Sequence, residues 1–229
     1  MALIDKLRAI ADGFRSSRGT TQQYTLDEMA TLAAEPVGGS GGDSEWKEQF
    51  IRAIERYADK PLTKLPDRIT KIDSYVFYKC TNLAITSLPA SVESIGSSAF
   101  QGCTNLALTS LPDGVTSIAY GAFDGCSRLA LTSLPVGLTE IAGYTFHSCV
   151  SLALTFIPAG IKSIGNYALY GCTGLESITF EGKPNSIGVS VFGNCTNLTT
   201  INVPWAEGEV VGAPWGATKA TINYNYTGG

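Results

Sequence analysis

The sequence predicts an α/β repeat solenoid: short parallel strands stacked turn on turn, with helices ahead of them and a cap behind. Three observations carry that prediction. First, all six cysteines (Cys80, Cys103, Cys126, Cys149, Cys172 and Cys195) fall on one period of 23 residues. Second, Ile72, Ile95, Ile118, Ile141, Ile164 and Ile187 keep the same period, as do Phe77, Phe100, Phe123, Phe146, Leu169 and Phe192. Third, Pro66, Pro89, Pro112, Pro135, Pro158 and Pro204 share one phase, broken only by Glu181. Self-similarity at a fixed period without insertions is what stacking of equal structural units requires.

Bulk composition narrows the function. Charged residues make up 16% of the 229 residues and the net charge is −4. No basic stripe is present, so nucleic acid is not an expected partner. No apolar run has the length of a membrane span, and membrane insertion is not expected. The N-terminal MALIDKLRAIADGFR carries charges inside its apolar pattern. It reads as an amphipathic helix, so no export signal is expected in this chain.

Taken in order, residues 1–35 form a helical hairpin. Leu3, Ile4, Leu7, Ile10, Ala11 and Phe14 share one face of its first helix, and Thr25 with Glu28 makes a capping box for the second. The hairpin is either a leader packed on the solenoid or a head for docking or homo-oligomerisation. Residues 36–43 contain PVGGSGG, a flexible linker. Residues 44–61 form a helix whose Trp46, Phe50, Ala53, Ile54 and Tyr57 share one face. A solenoid needs its first turn covered, so this helix is expected to cap it.

The solenoid is expected over residues 62–203. Within one turn, LALTSLP (106–112) reads as a strand of a continuous parallel sheet, with Leu106, Leu108 and Leu111 inward. Asp113-Gly114 makes a turn. VTSI follows as a second short extended segment with Val115 and Ile118 inward, and AYGAFDGC curls back with Ala122 and Phe123 in the core. Gly125 is read as permitting a close backbone approach. Stacked strands lie about 4.8 Å apart with parallel Cβ vectors. A disulfide needs converging vectors, so the cysteines are expected to form a buried ladder of reduced thiols. Residues 204–229 read as a C-terminal cap, with Trp205 and Trp215 covering the last turn and Thr221–Tyr226 adding a strand.

No repeat position looks catalytic, and neither a cofactor nor a metal site is expected. His147 is the one histidine, and Cys149 stands two residues on. The positions equivalent to His147 hold Tyr78, Gln101, Asp124, Tyr170 and Gly193, a variable surface row, and no other cysteine has a histidine beside it. The chain is therefore not expected to be an enzyme. Binding candidates are aromatic. Tyr144 and Tyr167 share a repeat position with Tyr75, and Phe156 replaces the serines of earlier turns on the strand. Trp205 and Trp215 complete the candidate set, with sugar stacking as the alternative to their cap role.

The unit C-x-x-L-x-x-x-x-L-P-x-x-V-x-x-I-x-x-x-A-F resembles the BspA-type leucine-rich repeat of bacterial proteins. That resemblance implies a right-handed solenoid and a surface that binds proteins, matrix or host cells. LIDKLRAIADGFR…YTLDEMATLAAE and VPWAEGEVVGAPWGATKATINYNYT resemble terminal segments of phage and prophage tail proteins from gut Firmicutes. This second likeness implies a virion component with an adhesive solenoid, docked to virion structural proteins through residues 1–35. The alternative is a bacterial cell-surface adhesin, with a protein or cell-surface glycan as ligand.

Overall fold

The computed structural model describes residues 64–65 and 69–228. The hairpin, linker and capping helix expected over 1–35, 36–43 and 44–61 lie outside those residues. The described chain is a parallel β-solenoid of about seven turns. No helix occurs among the described residues, which corrects the α/β expectation for the repeats themselves. Among them, accordingly, no helix is long and apolar enough to cross a membrane.

The most regular strand is the second of the two expected extended segments, VTSI and its equivalents, rather than LALTSLP. It is the two-residue Ser-Ile step: β1 (Lys71–Ile72), β2 (Ser94–Ile95), β3 (Ser117–Ile118) and β4 (Glu140–Ile141). A second strand appears in later turns as β5 (Phe156–Ile157), with β6 (Ser163–Ile164) continuing the first series. Then come β7 (Ser177–Phe180), β8 (Ser186–Ile187), β9 (Thr200–Asn202) and β10 (Thr221–Asn223). Three parallel sheets result, ordered β1-β2-β3, β4-β6-β8 and β10-β9-β7-β5. The LALTSLP segments of the earlier turns carry no strand. Strand character begins where Phe156, Ile178, Thr179 and Phe180 enter, residues that suit a pleated surface better than Ala, Ser and Leu.

Between Ile and Cys each turn crosses a non-β arm with its own hydrogen-bond logic. In the fourth turn, Tyr144, Phe146 and Ser148 donate their N–H groups to Asn166, Ala168 and Tyr170 of the next turn at 3.0, 2.8 and 2.7 Å. The intervening Thr145, His147 and Cys149 donate within their own turn, to Ala142, Tyr144 and Phe146. Alternation of this kind satisfies a compact backbone without a helix. It demands two left-handed residues per turn, at the positions of Tyr144 (φ 58°) and Ser148 (φ 57°). Gly125 occupies the second of these at φ 71°. Its role is that backbone angle rather than close approach, because an added Cβ would meet nothing nearer than 3.8 Å.

The core is a set of ladders. Phe77, Phe100, Phe123 and Phe146 stack at 5.3, 5.3 and 5.7 Å within 10° of parallel. All six cysteines are buried thiols. From Cys103 onward each donates S–H to the carbonyl of the core residue one turn back: Phe77, Phe100, Phe123, Phe146 and Leu169, at 2.9 to 3.2 Å. The inward residues expected from the sequence are inside: Leu106, Leu108, Leu111, Val115, Ile118, Ala122 and Phe123 are all buried.

Consecutive strands β3 and β4 fall in different sheets. Ala142 stacks on Ala119 at that step, the one place in this row where neither residue is glycine. Elsewhere the fit is tight. A Cβ on Gly188 would lie 2.6 Å from the Asn166 nitrogen, and one on Gly165 would collide with the Gly143 nitrogen.

At the C-terminal end, Trp205 and Trp215 pack with Phe180 at 5.2 and 6.1 Å, and Phe180 meets Phe192 at 6.4 Å. Trp215 Nε1 donates to the Val211 carbonyl at 3.1 Å, and the Trp215 carbonyl accepts from Phe192 N–H at 2.9 Å. The end is thus built as a degenerate last turn closed by β10.

Phe123→Ala removes the centre of the phenylalanine stack and should cost about 3–5 kcal/mol in denaturant melts. Gly188→Ala, which overpacks a backbone contact, should cost about 1–3 kcal/mol by the same measurement. Burial pushes the thiols of Cys126, Cys149 and Cys172 well above the ordinary 9.0, and that of Cys195 up to about 11. The folded chain keeps these protons where the unfolded chain releases them. Stability should therefore be insensitive to these groups below about pH 9 and fall as pH climbs from there toward 11. Urea midpoints should drop between about pH 8 and about pH 10, and Cys149→Ala should flatten part of that drop.

Candidate binding surface

The left-handed arm places a set of side chains on the outside of the solenoid. Tyr144 and Tyr167 occupy the same position in successive turns, at φ 58° and 57°. Their equivalents include Ser98, Gly121 and Ser190, so the fold accepts a small residue there. A non-glycine residue in this region costs about 1–2 kcal/mol. The two tyrosines bear that cost with partly exposed rings.

Stacking of turns then brings the rings together. Tyr120 meets Tyr144 at 5.4 Å and Tyr144 meets Tyr167 at 5.1 Å, tilted by 44° and 34°. Tyr120 is 55% exposed. Burial pushes the Tyr144 phenol up, and the neighbouring Tyr120 and Tyr167 phenols and the Asp124 carboxylate push it further. Its hydroxyl is a neutral donor at neutral pH.

A polar row runs beside the tyrosines. Gln101 Nε2 donates to Asp124 Oδ2 at 2.7 Å, and His147 Nδ1 lies 2.8 Å from Asp124 Oδ1. The His147 ring stacks on Tyr170 at 5.3 Å and 12°, and leans on Tyr144 at 5.2 Å. Tyr170 lies against Gly193, where a Cβ would come within 2.7 Å of the ring. Tyr167 and Tyr170 join the two rows edge to face at 5.8 Å. Together they form a ledge of four tyrosines and a histidine, set over an anchored carboxylate.

The ledge is poorly arranged for covalent catalysis. Ser148 Oγ is 3.3 Å from His147 Nδ1, the same nitrogen that faces Asp124. A hydrolase triad divides acid and nucleophile between the two ring nitrogens. The Cys149 thiol points inward to the Phe123 carbonyl at 3.1 Å and is held protonated by burial. Among the described residues no cluster of His, Cys, Asp and Glu could hold a metal ion.

The sequence-predicted site residues therefore divide. Tyr144 and Tyr167 meet in the ledge. Phe156 faces outward from β5 on another sheet, at the head of a polar row. In that row Asn202 Nδ2 donates to Thr179 Oγ1 at 3.0 Å and Asn223 Nδ2 to Asn202 Oδ1 at 2.8 Å. Trp205 and Trp215 are 3% and 2% exposed, so neither offers a face to a ligand. Sequence reasoning missed Tyr120, which stands one residue out of phase, and set aside His147 and Tyr170 as a variable row. The available signal was complementarity at 23-residue spacing: Gln101, Asp124, His147 and Tyr170 can each partner the next.

This geometry can be set beside known proteins. The family model for the BspA-type leucine-rich repeat region matches six copies across residues 60–155 and 104–209. The chain belongs to that family. Proteins of the family are typically non-enzymatic binding proteins. Among solved structures it is similar to a leucine-rich repeat protein of T. pallidum, at 31% identity and TM-score 0.52, covering 62% of this chain and 80% of that one. It is also similar to a leucine-rich cell surface protein of Faecalibacterium prausnitzii, at 28% identity and TM-score 0.48, over 61% of this chain and 43% of that one. The pneumococcal vaccine antigen PcpA aligns at 19% identity and TM-score 0.44, over 66% of this chain and 34% of that one. None of the curated proteins compared with it matches its sequence.

Because the chain has a single histidine, its ring resonances report on the ledge directly. Tyr170→Ala should shift the His147 ring protons downfield by removing the stacked ring. The Asp124 contact should keep the side chain in place, and the folding stability should change by less than about 1 kcal/mol.

Proposed function

We propose that this leucine-rich-repeat chain is a non-enzymatic binding protein of the bacterial cell surface, and that the tyrosine ledge contacts a protein partner. The observation that carries the reading is the backbone position of Tyr144 and Tyr167. A glycine, as at Gly121, would serve the fold at lower cost there and a serine at equal cost, so the backbone does not call for a ring, and contact with a partner accounts for two partly exposed rings at this position. Tyrosine is also among the residues that most often dominate binding energy at protein interfaces. The phage-tail association rested on residues 1–35 and 204–229. Neither the family match nor the structural likenesses support it, and the surface reading takes its place.

Two measurements test the proposal. Beads coated with the chain are assayed for adherence to epithelial cells and to immobilised matrix proteins. The Tyr144→Ser/Tyr167→Ser variant, which copies the residues found at Ser98 and Ser190, should remain folded and melt cooperatively. It should bind at least 30-fold more weakly, about 2 kcal/mol. Unchanged adherence would remove the ledge from the binding surface. Fractionation of the source culture tests location: enrichment in the wall fraction is expected, and enrichment in sedimentable particles after lysis would restore the virion reading.

A further inference from the structure

We propose that Tyr144 and Tyr167 are an oxidative cross-linking site, preorganised to form an intramolecular dityrosine that joins the fourth turn to the fifth. The proposal concerns the chemistry of the ledge and stands whether or not the ledge binds a partner.

The two rings leave the backbone from equivalent positions in successive turns, at φ 58° and 57°. They therefore emerge side by side, with centroids 5.1 Å apart and the planes only 34° from parallel. This is the shortest and flattest tyrosine pair among the described residues. Tyr120–Tyr144 is longer at 5.4 Å and more tilted at 44°. Tyr75–Tyr78 and Tyr167–Tyr170 lie edge to face, at 69° and 64°. The backbone bond from Tyr144 N–H to the Asn166 carbonyl, 3.0 Å, fixes the separation of the two attachment points. Both rings are partly exposed, which leaves them within reach of an oxidant.

The surroundings favour this outcome over competing oxidations. The cysteines are buried, with the five thiols from Cys103 onward directed at carbonyls in the core. Both methionines, Met1 and Met29, lie outside the repeats. Tyr120, Tyr144, Tyr167 and Tyr170 form a continuous series of contacts between 5.1 and 5.8 Å. A radical formed on any of these rings exchanges along the series, and coupling occurs where two radicals meet in the best geometry, the Tyr144–Tyr167 pair.

The oxidant is a peroxide acting through a haem peroxidase. Each phenol gives up one electron and its hydroxyl proton, so two phenols reduce one hydrogen peroxide to two waters. The two phenoxyl radicals couple through one ring carbon ortho to each oxygen. The hydrogen on each of those carbons then moves to oxygen, restoring both aromatic rings. The chain loses two hydrogen atoms in total and remains a monomer.

The test treats the dilute full-length chain with a haem peroxidase and limiting hydrogen peroxide, then reads dityrosine fluorescence, denaturing-gel mobility and tryptic mass maps. Trypsin separates Tyr144 from Tyr167 at Lys162, so the cross-link appears as one joined pair of peptides, lighter by two hydrogens. The expected result is fluorescence in the monomer band, Tyr144 and Tyr167 as the joined residues, and a raised Tm. Tyr144→Phe should abolish most of the monomer fluorescence. Tyr75→Phe should leave it unchanged, although Tyr75 is 57% exposed. Chain unfolded in urea should lose the preference for this pair. Fluorescence confined to dimers, a main cross-link through Tyr75, Tyr120 or Tyr226, or equal yield from Tyr144→Phe would overturn the proposal.

Discussion

The interaction on which everything else depends is the backbone hydrogen bond between one turn and the next. A chain that crosses from strand to strand without a helix leaves its N–H and C=O groups facing its neighbours. Every second N–H of the arm reaches forward to the following turn, as from Phe123 to Thr145, while Ile95 and Ile141 accept from Ala119 and Gly165 of the turn after. An insertion of one residue would put every later donor out of step. The strict 23-residue period is the covalent record of that requirement.

Register creates the interior. Once turns are held in step, like residues fall on like, and the phenylalanine stack and the thiol-to-carbonyl series arise together. Each core carbonyl such as Phe100 O accepts two donors, the N–H of Cys103 in its own turn and the S–H of Cys126 in the next. A cysteine is small enough to pack there and polar enough to serve that second lone pair. That dual demand accounts for a cysteine at every turn without a disulfide.

The same register acts on the outside, with a different consequence. Surface positions need not repeat, so consecutive turns can place unlike residues in contact. Gln101, Asp124, His147 and Tyr170 illustrate this: one repeat position yields two hydrogen bonds and a ring stack in succession. The ledge draws its local geometry from the backbone and its chemistry from departures from the repeat.

How much was legible follows from these two regimes. The sequence determined the solenoid, its period, its inward face and the buried thiols, because core residues must repeat to pack and repetition is visible in a string of letters. It read both LALTSLP and VTSI as extended but gave the sheet to the first, since both alternate and only the hydrogen bonds make the Ser-Ile step the more regular strand. It read Trp205 and Trp215 as covering the last turn, as they do over Phe180, and their burial removes the alternative of sugar stacking. It grouped Tyr144 with Tyr167 but not with Tyr120, His147 or Tyr170. Those contacts depend on side-chain direction and on the twist between turns, quantities that no spacing encodes. Repetition fixed the core through packing, and only the tertiary structure decided which non-repeating side chains would meet on its surface.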